Sequence, residues 1–440
     1  MFSHSPNLDT CSDALPEHVQ PFWEILIVPV IGFVIISRCL YDSSTASDIW
    51  FLISTLTYSI IFLRGRDTAV GINWVDLSLF LVVITEIICY FNSTYPPNSL
   101  KGYQDILFLF LFYSLVRFHL RHDYQRTGLF LLLSLFGLCL CAAAMFSFYR
   151  YYSLLSSVGF EDPTTFRSYF YFQQPPNVSV GEWITIFLML LPFPVLLSIR
   201  FVVVVSARGW ALLFSAVALL LTSVVTFSRG LYFATTAFFV FTALLFWLYR
   251  LPLLGRFVRF SALAFLLLIL VVLVTPLRAP VMTTASMFKT TSQVRSFEGR
   301  TAVWKASWEI VKAHPFLGIG AFNFPIQYAA YKKEDSVYVS RTLNIFLQLA
   351  AEKGVVGLLA YCLLFFSFFK VSHDNIRHLG GDNFQKAASL IFMASCLALL
   401  VRDLSYSSTF ANKGVSALLW LMFAISARPE PSLEDVADKG

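Results

Sequence analysis

Twelve long apolar runs limit what this chain can fold into: 22–40, 48–63, 72–91, 102–120, 125–149, 180–199, 204–227, 230–249, 257–277, 354–371, 384–401 and 413–427. Each is long enough, or nearly so, to cross a hydrocarbon core of about 30 Å. A segment inside a bilayer must satisfy its own backbone N–H and C=O groups, so it is a helix or a strand of a closed barrel. Continuous apolar runs of this length favour helices. Composition points the same way, with 57% of positions hydrophobic and 13% charged, against about a quarter charged in a soluble domain. So few charges could not cover 440 residues in water. The expected fold class is all-α, a polytopic membrane protein of about 12 transmembrane helices. The net charge of +6 then concerns topology, and no nucleic-acid partner is expected.

The placement of Lys and Arg gives an orientation. Alternate loops on one side hold fifteen of them, including Arg64, Arg117, Arg250 and Lys370. The short loops of the other side hold seven: Arg38, Lys101, Arg150, Arg167, Arg229, Arg402 and Lys413. The richer side is cytoplasmic by the positive-inside rule. The expected organisation starts with a cytoplasmic tail, 1–21, followed by helices one to nine over 22–277. A large external loop, 278–353, with short amphipathic helices comes next. Helices ten to twelve over 354–427 and a cytoplasmic tail, 428–440, complete it. The external loop is too long to be mere connection. No cleavable signal peptide is visible at the N-terminus. Seven cysteines form no CxxC pair and read as small apolar residues. No His, Cys or carboxylate cluster has ligand spacing, so neither a metal nor a cofactor is expected.

Several residues stand out against this apolar background. Arg229 sits in a very tight external turn, Ser228–Arg229–Gly230, between two apolar runs. A guanidinium there is expensive unless paired or used, and it suits bidentate phosphate binding; the plain alternative is an arginine snorkelling at a helix end. Glu86 and Asp76 lie in one apolar run, where a carboxylate is either functional or hydrogen-bonded inside the bundle. In the external loop, RTAVWKASWEIVKA (Arg300–Ala313) has helical spacing, with Val303, Trp304, Ser307, Trp308 and Val311 able to share a face. It stops at His314–Pro315 and a glycine turn. RTLNIFLQLAAEK (Arg341–Lys353) is amphipathic, with Asn344 and Gln348 on one face, and reads as the polar top of a transmembrane helix.

Three of these segments, in order, resemble the O-antigen ligase and polymerase superfamily of bacterial membrane glycosyltransferases. TFSRGLYFA (Thr226–Ala234) is similar to that family's Thr-x-Ser/Thr-Arg turn. GRTAVWKASWEIVKAHPFLGIGAFNF (Gly299–Phe324) is similar to its Arg, Trp and His-Pro-x-x-Gly-x-Gly stretch. LNIFLQLAAEKGVVGLLAY (Leu343–Tyr361) is similar to its His-Asn-x-x-Leu followed by Glu-x-Gly. One departure stands out: Leu343 occupies the position of the proposed catalytic histidine, and leucine cannot accept a proton.

The resemblance implies an inverting, metal-independent glycosyltransferase in the bacterial inner membrane, working at the periplasmic face. The implied donor is an undecaprenyl-diphosphate-linked glycan, and the implied acceptor is a glycan or the lipid A core. A chain-length regulator or flippase is the implied class of companion protein. Arg229 and Arg300 match the arginines that stabilise the leaving diphosphate, while Asn344, Trp304, His314 and Asp335 fall on the substrate side. Glu298 and Glu334 are further loop carboxylates. The departure at Leu343 favours polymerase over ligase. A different class of reading, a multi-spanning transporter or flippase of lipid-linked sugars, rests mainly on Glu86.

Overall fold

The computed structural model describes residues 22–40, 71–120, 122–157, 180–201, 207–226, 228–275, 292–332, 339–378, 383–407, 409–410 and 412–427. The run 48–63 and both tails lie outside the described residues, among which there is no strand. The helices, in chain order, begin with α1 (Phe22–Leu40), α2 (Trp74–Phe91), α3 (Pro96–His119) and α4 (Asp123–Ser157). Then come α5 (Val180–Leu190), α6 (Pro192–Phe201), α7 (Ala207–Val225), α8 (Arg229–Leu248) and α9 (Leu254–Val274). The last are α10 (Ser292–Ala313), α11 (Phe324–Tyr331), α12 (Ile345–His378), α13 (Asn383–Asp403) and α14 (Lys413–Ser426). Seven of the described helices are long and apolar enough to cross a membrane, and three shorter apolar stretches accompany them. The chain is thus an all-α polytopic membrane protein. The run expected at 180–199 is two helices, because Pro192 cannot continue the backbone ladder.

A single apolar core joins most of these helices, with Trp420 of α14 fully buried edge-on to Tyr113 of α3. The outward faces are apolar too. On α9, Leu263, Leu266, Leu270 and Leu273 recur at helical spacing and stand exposed, as a lipid-facing surface requires. The carboxylates of α2 inside the bundle are matched in pairs. Asp76 forms an ion pair with Arg117 and accepts from the Tyr113 hydroxyl at 2.9 Å. Its neighbour Asn73 caps α2 by accepting from Val75 and Asp76 N–H groups at 2.9 and 3.1 Å. Glu86, fully inside, pairs with Lys353 of α12 and accepts from Tyr361 at 2.8 Å. Both intramembrane carboxylates therefore have partners within the bundle.

The helix that positions everything else is α12, and it is broken. At Gly354 the backbone turns to φ 64°, ψ −169°, a left-handed conformation that glycine adopts without strain. In a continuous helix the Val355 and Val356 N–H groups would bond to the carbonyls of Ala351 and Glu352. Here Val355 donates to Pro315 at 2.8 Å and Val356 to Phe316 at 3.3 Å. The released carbonyls of Ala351 and Glu352 accept from Ile319 at 3.0 Å and Gly320 at 2.8 Å. The His-Pro-Phe-Leu-Gly-Ile-Gly turn is thus seated in the gap of α12. A Cβ at Gly354 would collide with the Phe316 backbone, and one at Gly318 with the Glu352 backbone.

We expect Gly354→Ala to cost at least about 2 kcal/mol, from left-handed strain plus the clash. Gly299→Ala, in open space on α10, should instead be neutral or stabilising by about 0.5–1 kcal/mol. Thermal unfolding of both in detergent measures the contrast; equal midpoints would refute the account of the break.

Candidate functional site

The turn that fills the break is held from three sides. Val303, Ala306 and Ile310 of α10 close a small apolar core with Ile319, Phe324, Tyr328 and Ala351. The buried face of α10 runs through 303, 306, 307 and 310, the i, i+3, i+4, i+7 stripe. Trp308, grouped with that face in the sequence, stands 53% exposed, and Trp304 is half-buried. Burial also pushes the Tyr328 hydroxyl pKa up from its ordinary value. From the N-terminal half, the α2–α3 connection pins the same turn. Thr94 N–H donates to Ile319 at 3.0 Å, Ser99 donates to the Ala321 carbonyl at 3.1 Å, and Asn323 donates to Ser93 at 2.8 Å. Glu352 accepts from the Phe324 N–H at the start of α11, where the helix dipole favours a carboxylate.

Asn344 sits at the start of α12, just after Leu343, whose φ of 57° is left-handed. The Asn344 side-chain oxygen accepts from Phe346 and Leu347 N–H groups at 3.0 and 3.1 Å. That is an N-cap. Its amide donates to the Leu404 carbonyl at 3.2 Å, tying α12 to the end of α13. Gln348, four residues on, accepts from the Thr342 N–H at 2.9 Å.

The end of α13 also meets the Ser228–Arg229–Gly230 turn. Here α8 starts at Arg229, with Ser228 accepting from Leu231 and Tyr232 N–H groups at 3.0 and 3.1 Å. The Tyr232 hydroxyl reaches back to the Val224 carbonyl of α7 at 2.6 Å and closes the turn. A Cβ on Gly230 would lie 3.2 Å from both Arg402 Nη1 and Ser405 Oγ. Glycine therefore lets the buried Arg402 guanidinium approach the start of α8 closely. Arg402 also covers the Tyr406 ring at 4.7 Å. Its neighbour Asp403 holds the Thr409 hydroxyl and accepts from the Thr409 N–H at 2.9 Å. A cation at the N-terminus of α8 opposes the helix dipole, so Arg229, the helix end and Arg402 add their positive potentials at one place. Such a place favours an anion.

Beside this assembly lies a cavity of about 200 Å³, lined among others by Arg38, Asp105, Arg341, Glu352, Lys353 and Lys413. Each is at, or next to, a segment that the sequence assigns to the external side. In the sequence Arg38, Arg402 and Lys413 enter only the charge count; the one available signal is a basic residue at the end of an apolar run.

The fold gathers the sequence-derived candidates unevenly. The Arg229 turn and Asn344 both meet the end of α13, at Arg402 and Leu404 respectively. Arg300 and Trp304 lie on α10, which packs on α12. His314 acts through its backbone, with its N–H on Ile310 at 2.9 Å and its carbonyl accepting from Gly318 at 3.2 Å. Asp335 and Glu334 lie outside the described residues, and Glu298 is exposed on α10.

The fold and this site define a multi-spanning α-helical membrane protein with a cationic, hydrogen-bonded assembly at one end of the bundle. Residues 210–362 match the family model described as O-Antigen ligase. All three motif segments fall within that match, which covers about a third of the chain and supports the resemblance to the O-antigen ligase and polymerase superfamily. No curated protein matches the sequence.

Replacing Asn344 with Ala should lower stability by about 1 kcal/mol, the usual loss of an N-cap, whereas Asn344→Ser, which keeps the cap and gives up only the bond to the Leu404 carbonyl, should lose less. Chemical denaturation in detergent distinguishes the two; equal losses would show that the cap is not what Asn344 provides.

Proposed function

We propose that the chain is a membrane glycosyltransferase of the O-antigen polymerase type, taking its donor glycan from an undecaprenyl diphosphate carrier. The reaction would occur at the periplasmic face of the bacterial inner membrane. The observation that carries the reading is the approach of Arg402, which lies beyond the matched region, to the Arg229 turn, which lies inside the region matched to the O-Antigen ligase family. The chemistry needs such a place. The acceptor hydroxyl oxygen attacks the anomeric carbon from the face opposite the leaving group and forms the new C–O bond. The old C–O bond breaks, its electron pair leaves on the lipid diphosphate, and the hydroxyl proton passes to a diphosphate oxygen or to water. Fixed donors aimed at that developing charge are a large catalytic term. Arg229, with its helix end, and Arg300 are assigned to the diphosphate, and Arg402 supports Arg229. Polymerase is favoured over ligase to the lipid A core because Leu343, which cannot take a proton, stands where the ligases carry histidine.

The transporter reading has less to rest on. Glu86 is paired with Lys353 and Tyr361. The backbone groups freed in the break of α12, which in transporters coordinate ions, are taken by residues 315–320.

Arginine offers a planar pair of donors and lysine a point charge. Arg229→Lys and Arg300→Lys should therefore each lower in vitro transfer from a lipid-linked donor at matched expression. The alanine variants should lose about 10²- to 10³-fold. Wild-type rates for both lysine variants would remove the donor-site assignment.

Deleting the gene in its host and resolving the surface polysaccharide on a gel separates the two enzyme types. Caps of a single repeat unit are the expected outcome. Free polymer left on its carrier would mean ligase, and an unchanged pattern would exclude both.

A further inference from the structure

The cavity beside the α8–α13 contact has a lining that selects for an unusual ligand. Its charges are mostly matched. Arg38 pairs with Asp105 at 3.0 Å, Lys353 pairs with Glu86 behind the wall, and Arg341 lies within electrostatic reach of Glu352. Among the described residues Lys413 has only the Asp105 Oδ1 that Arg38 already holds, and that at 3.9 Å. The lining therefore carries one positive charge in excess. Lys413 is also the first residue of α14, whose N-terminal N–H groups add to the positive potential. Ser407 supplies a second observation that points to a ligand. It lines the cavity and is 1% exposed, yet its hydroxyl has no hydrogen-bond partner among the described residues. A buried polar atom in that state calls for explanation. The remaining walls include the rings of Phe322, Tyr361 and Phe410.

Three ligand classes can be tested against this lining by chemistry alone. A phosphate or diphosphate has acceptors only and would meet the carboxylates of Asp105 and Glu352 with like charge. A neutral sugar would leave the excess charge of Lys413 unmatched. A sugar ring bearing one carboxylate meets every condition. Its hydroxyls donate to the carboxylates and accept from the cations and Ser407, its acid group pairs with Lys413, and its C–H face lies on the aromatic wall. The volume, about 200 Å³, exceeds the roughly 150 Å³ of a cavity that takes one benzene ring. That is room for one sugar ring.

We propose that this cavity is a subsite for one acidic sugar residue, of hexuronate type, in the acceptor glycan. The assignment to the acceptor rests on the glycosyltransferase reading above. Ser407 lies five residues after Arg402, so a ring held here sits beside the place where the donor diphosphate is expected.

The test uses the full-length chain purified in detergent, without donor. Free glucuronate, galacturonate and mannuronate are titrated by calorimetry beside their parent hexoses and inorganic phosphate. One uronate should bind at least tenfold more tightly than its parent hexose. Lys413→Gln should bring that preference within twofold of parity, and Lys413→Arg should keep it. Gel filtration checks the fold of each variant. Ser407→Val, which should weaken uronate binding several-fold, reads the same cavity if Lys413→Gln aggregates. The proposal is overturned if no uronate outbinds its hexose, if phosphate binds as well as the best uronate, or if the preference survives Lys413→Gln. Arg229→Ala should leave uronate binding intact while lowering transfer about 10²- to 10³-fold. A wild-type chain that binds uronate yet transfers nothing would sink the function and leave the subsite standing.

Discussion

The exchange of hydrogen bonds at the break in α12 is the constraint on which the rest of the structure depends. Two carbonyls and two N–H groups that a helix would satisfy internally are offered instead to residues 315–320. Unsatisfied, each would be a costly buried polar group. Satisfied by the turn, they fix the register between the external segment and the transmembrane helix below it. That one arrangement explains why the His-Pro-x-x-Gly-x-Gly and Glu-x-Gly segments occur together. Gly354 makes the gap, Gly318 allows the close approach, and Glu352 anchors the start of α11.

From this fixed point the electrostatics follow. The turn is held by the α2–α3 connection, and α2 carries Glu86, whose partner Lys353 is the residue before the break. The same stretch of α12 presents Glu352 to the cavity, beside Arg341 of the segment that leads into the helix, while its Asn344 cap holds the end of α13 and with it Arg402. Buried ion pairs are a weak source of stability in themselves, because desolvation offsets most of the attraction. Here they serve location: each charge is held where a neighbouring element needs it.

Much of this was legible in the sequence because hydropathy is a local signal. Apolar runs such as 72–91, 230–249 and 384–401 became α2, α8 and α13 with little change. The tight turn at Arg229 and the helix after Arg300 were legible for the same reason, since both depend on neighbours within a few residues. What was not legible is long-range. Nothing near Glu86 announces a partner 267 residues away, and nothing near Arg402 announces Gly230. Asn344 shows a subtler difficulty. A capping asparagine and a substrate-binding asparagine look alike in sequence, and only the hydrogen bonds to Phe346 and Leu347 N–H groups reveal the cap. The stripe on α10 was mis-grouped at Trp308 because 3.6-residue spacing fits two adjacent faces equally well until a neighbour chooses one.

The Glu86–Lys353 pair also imposes an order on biosynthesis. The two residues are 267 apart, so at about 5–20 residues per second a ribosome makes Glu86 roughly 15–50 s before its partner. For that interval α2 has no Lys353 to neutralise its carboxylate. A charge at the centre of a lone helix is disfavoured in lipid. The nascent helix must therefore carry Glu86 as the neutral acid, or wait at the wet side of the insertion machinery, until α12 arrives. A chain truncated before Lys353 would leave the Glu86 carboxyl without its lysine partner for good.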